Sequence, residues 1–234
     1  YWIDLARRPD GREHTERMFE NNNSIRVEAV DGRNLSKYKI RFNANNDPRS
    51  NPHKMAEVGC SLSHIKAMHA FVTNQADCNP FCFISEDDCY NRYARYWKKR
   101  HWDLLREGEG LEILQMATTC DRYDDSSLRP KSMRANATGT SFYMIKRSVA
   151  KKAVDMHYRG DFSYDLSVPG NVVADSYLWC LGETKVLPML SVSTYDENIS
   201  DIDPRRDHYL NKGHEKYFKG AIQRYLKFWE ALNK

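Results

Sequence analysis

The chain has 234 residues, a formal net charge of +4 and 41% hydrophobic residues. That length fits one α/β domain with added structure and can bury a substantial core. So small and dispersed a positive charge excludes a nucleic-acid binder built on a basic surface. No apolar run approaches the ~20 residues of a membrane span, and no signal peptide is visible.

Strand-like and helix-like segments alternate along the chain. "YWIDL" at 1 to 5 reads as an apolar strand and "PDGREHTERMFENN" at 9 to 22 as a polar helix, with Pro9 in its first turn. "IRVEAV" at 25 to 30 alternates as a second strand, and "DG" at 31 to 32 turns the chain. Residues 33 to 54, rich in Asn, Arg, Lys and Ser, read as a long surface loop. A helix follows at 57 to 75, where Val58, Leu62, Ile65, Met68 and Val72 make one apolar face.

Strands are expected at 80 to 85, 112 to 116, 139 to 145 and 185 to 190. Helices are expected at 146 to 157 and at 171 to 182, the second capped by Gly182. The segment "NRYARYWKKR" at 91 to 100 could form another, and an amphipathic helix closes the chain. The order implies an α/β fold with a mostly parallel sheet flanked by helices. The six cysteines contain no CxxC pair, so a zinc ribbon is excluded and most are expected to be reduced. Sequons at Asn136 and Asn198 matter only in a secretory lumen and keep the endoplasmic reticulum lumen open beside the favoured cytoplasmic location.

The segment "FISEDDC" at 83 to 89 carries the chemistry. Strands of a parallel sheet aim their C-terminal ends at the ligand crevice. Glu86, Asp87 and Asp88 would stand there, where three adjacent carboxylates repel one another. A hard cation bound through oxygen relieves that repulsion, and in an extended segment Glu86 and Asp88 share a side. A solvated acidic turn, or the N-terminus of a following helix, explains the triplet as well. Upstream, "GCSLSHIKAM" is read as setting Ser61, Ser63 and His64 at a helix start, where they could cap free amides or meet a sugar or diphosphate.

Four segments in order resemble glycosyltransferase family 25, which includes lipooligosaccharide galactosyltransferases and collagen galactosyltransferases. They are "IDLARRPDGR" at 3 to 12, "VEAVDGR" at 27 to 33, "EVGCSLSH" at 57 to 64 and "FISEDD" at 83 to 88. Weaker echoes in "GTSFYMIKRSVAKKAV" and "VVADSYLW" extend the resemblance to about residue 200. The chain departs from the pattern at Gly11, at Ser85 and in the tail from about 203.

The resemblance implies a GT-A type, Rossmann-like domain over 1 to 202; the tail, read from its amphipathic pattern, is expected to form a C-terminal helical extension over 203 to 234. It implies a UDP-sugar donor, UDP-galactose or UDP-glucose, and Mn²⁺ or Mg²⁺. The acceptor would be a collagen-like hydroxylysine, its glycan, or a surface oligosaccharide. Glu86 and Asp88 would hold the cation; His208 and His214, in the tail, are candidate third ligands or else surface residues. Asp87 would hold the ribose or the metal. Ile3, Leu5, Arg8, Val30, Asp31 and Gly32 would border the nucleotide, with Ser63 and His64 near the sugar or diphosphate. Inversion at the anomeric centre needs a base, and "VVADSY" offers Asp175. A helix N-cap is the other reading of Asp175. A non-catalytic nucleotide-sugar or glycan-binding module is the alternative function. A nuclease lacks a second acidic group at suitable spacing.

Overall fold

Trp2–Asp4 forms β1, with all three residues buried. A computed structural model describes residues 1–19, 23–43, 47–87, 89–90, 111–116, 131–132, 139–167, 173–186 and 192–193. After β1, Pro9–Phe19 forms α1 and Arg26–Glu28 forms β2. Lys39–Phe42 is β3, and Pro52–Thr73 is α2. Phe81–Glu86 is β4, Cys89–Tyr90 β5, Ile113–Gln115 β6 and Lys131–Ser132 β7. Phe142–Lys146 is β8, running directly into α3 at Arg147–His157. Ser163–Leu166 is β9, Ala174–Leu178 is α4, Thr184–Val186 is β10 and Val192–Ser193 is β11.

Seven strands form one sheet in the order β2-β1-β4-β8-β6-β10-β7. β1 lies parallel to β2 and to β4, and β10 lies parallel to β6. β8 runs antiparallel to both of its neighbours, β4 and β6, and β7 runs antiparallel to β10. The fold is therefore mixed α/β, with a mainly parallel sheet and helices packed on it.

Strand alternation sorts the core into two layers. Ile3, Ile84, Ile113, Tyr143 and Ile145 join α2, α3 and α4 in the larger one. Leu114, Phe142 and Met144 point to the opposite face and pack with Cys89, Leu111 and Met116. α2 is buried beyond its apolar stripe: Ser61, Ser63 and His64 are as enclosed as Leu62 and Ile65. It packs against β1, β2 and β4 and also against α3 and α4, so a single apolar face was too narrow an expectation.

At the end of the sheet where β4 begins, Arg147 closes the frame. Its Nη1 donates to the Phe71 carbonyl at 2.7 Å and its Nε to the Asn79 carbonyl at 3.0 Å. Nη2 donates to the Asp77 carbonyl. The guanidinium also lies 4.0 Å from the Phe71 ring centroid. These are free carbonyls at and beyond the end of α2, which need such donors.

Several expected boundaries shift. The supposed loop at 33 to 54 contains β3, a 3-10 turn at Pro48–Ser50 and the first residues of α2. β3 pairs parallel with β9, a strand not expected from sequence. α2 starts at Pro52, because proline suits a first helical turn. The helix expected over 171 to 182 is α4, which ends on Trp179 as C-cap, so Gly182 caps nothing. A Cβ on Gly182 would lie 2.5 Å from the Glu112 carboxylate. That carboxylate accepts the Glu183 amide at 2.8 Å, which is why a glycine suits the position.

Among the described residues Cys60, Cys78, Cys82, Cys89 and Cys180 form no disulfide. No described helix is long and apolar enough to cross a membrane. The sequons, the possible helix at 91 to 100, most of 187 to 202 and the whole extension at 203 to 234 lie outside the described residues.

Candidate functional site

Because β1, β2 and β4 are parallel, their C-terminal ends reach one edge together. Leu5, Val30, Asp31, Glu86 and Asp87 therefore gather there. β8 runs the other way, so its N-terminal approach, Thr140 and Ser141, arrives at the same edge. The Glu86 amide donates to the Ser141 carbonyl at 2.9 Å.

Strand alternation turns Glu86 to the side of Ile84, toward α2. There His64 Nε2 lies 3.2 Å from Glu86 Oε1, and the Thr140 hydroxyl donates to the same oxygen at 2.6 Å. His64 Nδ1 lies 3.0 Å from the buried Tyr143 hydroxyl. Burial pushes the Glu86 pKa up. The hydrogen bonds from His64 and Thr140, with the charge His64 can carry, outweigh burial and bring it below the usual carboxylate range. Tyr143 is held well above its ordinary pKa, first by burial and then by neighbouring negative charge, so it stays a phenol. An ionised carboxylate only accepts, so the proton of that pair sits on His64 Nε2.

Asp87 turns elsewhere. Its Oδ2 accepts the Leu5 amide at 3.2 Å, and its carbonyl accepts the Thr15 hydroxyl at 3.2 Å. Burial, joined by the nearby charge of Glu86, raises the Asp87 pKa to about 6 against the lowering effect of the Leu5 amide. A carboxyl with a raised folded pKa costs stability once it ionises. The cost is absent below pH about 4, grows between about 4 and 6, and is complete above 6. Asp87→Asn keeps a carbonyl for Leu5 and removes the charge. It is expected to be more stable than the parent by about 2–3 kcal/mol at pH 7.5 and by little at pH 3.5. Urea unfolding at both values reads this directly. A gain of equal size at both would rule out the charge as its cause.

Four residues expected to border the nucleotide or the sugar serve as framework. Ile3 and Val30 are buried in the core beside α2. Ser63 Oγ accepts the Val30 amide at 2.8 Å and donates to the Gly59 carbonyl at 2.7 Å. A Cβ on Gly32 would lie 2.3 Å from the Met55 carbonyl oxygen. Ser61, Ser63 and His64 are not at a helix start. α2 begins at Pro52, so the backbone amides around them lie inside the helix, where i to i−4 bonds use them. Leu5, Arg8, Asp31 and Asp87 remain half-buried. Asp31 pairs with Arg7 at 3.1 Å, and the Arg8 charge acts on Asp87.

No family model matches the chain, and no curated protein does.

Asp88 and His208, like His214, lie outside the described residues. Asp175 is the second residue of α4, whose N-cap is Val173 with no side-chain cap bond. Asp175 is thus not the N-cap of this helix. Sequence reasoning missed Thr140 and Tyr143. Their only signal was the strand parity of "GTSFYMI", which becomes useful once β8 is known to run antiparallel beside β4. It also missed Asp4, fully buried on the α1 side, where Arg12 Nε reaches Oδ2 at 3.1 Å and Arg26 Nε at 2.7 Å.

Of the acidic triplet, Glu86 suits a hard cation: it is ionised, stands at a strand end and keeps 22% of its side chain exposed. Its side-chain hydrogen bonds to described residues, from His64 and Thr140, address Oε1. Asp87 does not fit, because its carboxyl is committed to the Leu5 amide and resists ionisation.

Proposed function

We propose that the chain is an inverting, metal-dependent glycosyltransferase of GT-A type, moving galactose or glucose from a UDP-sugar to an acceptor hydroxyl. The observation that carries this reading is an ionised Glu86 at the edge where the ends of β1, β2 and β4 meet. His64 and Thr140 fix its orientation from two elements. Glu86 and Asp88 would hold Mn²⁺ or Mg²⁺ with His208 as a third ligand. A cation bound there would neutralise the charge growing on the departing UDP. Leu5, Arg8 and Asp31 border the nucleotide, and Asp87 offers a hydrogen-bonding group toward the ribose. Asp175 takes the acceptor proton during in-line attack. The acceptor is a hydroxyl of a collagen-like hydroxylysine, of its glycan, or of a surface oligosaccharide.

UDP release from a panel of UDP-hexoses, with and without chelator, tests the reading. Turnover of one donor is expected, sensitive to chelation and lost in Asp88→Ala. Turnover indifferent to both would remove the metal from the mechanism. Calorimetric UDP binding with no donor turned over would instead identify a non-catalytic nucleotide-sugar module.

A further inference from the structure

We propose that Cys60, His64 and Glu86 form a binding site for a thiophilic divalent cation of the zinc class. Cys60 and His64 are four residues apart on α2 and so project from one face, one turn apart. Glu86 reaches them from the end of β4. One sulfur, one nitrogen and one oxygen, each from a different side chain, lie within 4.8 Å of one another. Tetrahedral bonds of about 2.0–2.3 Å place ligand atoms roughly 3.5 Å apart, so closing the set takes a rotamer-scale adjustment. His64 and Glu86 already stand at 3.2 Å.

The groups behind the ligands support the same assignment. Metal-binding histidines and carboxylates are held by hydrogen bonds from outside the coordination sphere. Thr140 supplies one to Glu86 and Tyr143 supplies one to His64. Without metal, His64 Nε2 carries a proton toward Glu86, which leaves Nδ1 able to accept a hydrogen bond from the Tyr143 hydroxyl. Coordination through Nε2 moves the proton to Nδ1, which then donates to the Tyr143 oxygen. A phenol hydroxyl serves both arrangements by rotating, because it both donates and accepts. The Cys60 thiol gives up its proton on binding. Cys60 and Glu86 are part-exposed, which gives an entry path, and three protein ligands leave a fourth position open.

A sulfur–nitrogen–oxygen set selects differently from an all-oxygen site. The inference does not depend on sugar transfer. It shares Glu86 and His64 with that reading, and its test reads metal binding without any donor.

The reduced chain is titrated with Co²⁺, and thiolate-to-cobalt absorption is followed in the near ultraviolet; Zn²⁺ then displaces the cobalt. The intact chain is expected to show the band. Cys60→Ser should lose it and bind Zn²⁺ at least about tenfold more weakly. Tyr143→Phe should keep the band and lose about tenfold in affinity. Replacing the exposed thiols, Cys78→Ser with Cys180→Ser, should change neither. A band that survives Cys60→Ser, one lost with Cys78 and Cys180, or none in the intact chain overturns the site. Should Cys60→Ser fail to fold, alkylation of the intact chain decides. Zn²⁺ should protect Cys60 more than Cys78 or Cys180 in peptide mass spectra, and equal protection counts against the proposal.

Discussion

Asp175→Asn is expected to lower sugar transfer at least about 100-fold while leaving UDP affinity unchanged. On the proposed mechanism the acceptor hydroxyl must lose its proton as it attacks, and an amide cannot take it. A positioned base is worth about 10²–10⁴ in rate. Val173, not Asp175, occupies the N-cap of α4, and the cap makes no side-chain hydrogen bond. In the first helical turn Asn gives up a favourably placed negative charge, about 0.3–1 kcal/mol. Three measurements separate the roles: single-turnover transfer, UDP calorimetry and thermal melting. Full transfer in the variant excludes the base, whereas a melting loss well beyond that small cost assigns Asp175 to the fold.

Gly59→Ala is expected to destabilise the chain by about 2 kcal/mol. Alanine in a helix interior is worth about 1 kcal/mol more than glycine, so propensity alone predicts a gain. Packing reverses the sign. The added Cβ would lie 2.6 Å from the Val30 carbonyl oxygen, 2.6 Å from the Gly32 nitrogen and 2.9 Å from the Gly32 Cα. All three are backbone atoms, so no side chain can turn aside. Overpacking of this kind costs about 1–3 kcal/mol, and a clash with backbone belongs at the upper end. The melting temperature should fall by about 4–8 °C. An unchanged or raised melting temperature would mean that the turn after β2 lifts away from α2 without strain.

That contact explains why parts of the fold were legible in the sequence. "AVDGR" and "EVGCSLSH" are far apart in the chain, yet Gly32 and Gly59 pack against each other, and Ser63 binds Val30 across the same junction. Those residue types read naturally as ligand-binding, because small residues and hydroxyls suit both close backbone contact and ligand contact. Only the coordinates separate the two uses. Strands with strong apolar runs, such as β4 and β8, were readable. β3 was not, because "KIRF" is half-exposed and its partner β9 comes more than a hundred residues later. The direction of β8 was equally hidden, since an apolar strand carries no mark of its polarity within a sheet. That direction delivers Thr140 to Glu86, so half of the carboxylate's setting could not be read from residue order. Glu86 itself was foreseeable from the alternation that sets it on the side of Ile84.

The two ends of the sheet are fastened by different chemistry. Near the start of β4 a single guanidinium gathers the Phe71, Asp77 and Asn79 carbonyls, and an arginine keeps its charge at every ordinary pH. At the far end the fastenings are Glu86 with His64 and Asp87 with Leu5, all of which depend on where protons sit. Acidification therefore acts on the fold asymmetrically. It protonates Glu86 and loosens the Glu86–His64 tie between α2 and β4, while the Arg147 clasp keeps the opposite end of the same two elements together. The two carboxylates at that end answer acid with opposite signs: protonation weakens the Glu86–His64 tie but removes the cost of a buried charge on Asp87, so the edge is retuned by pH while the Arg147 end is not.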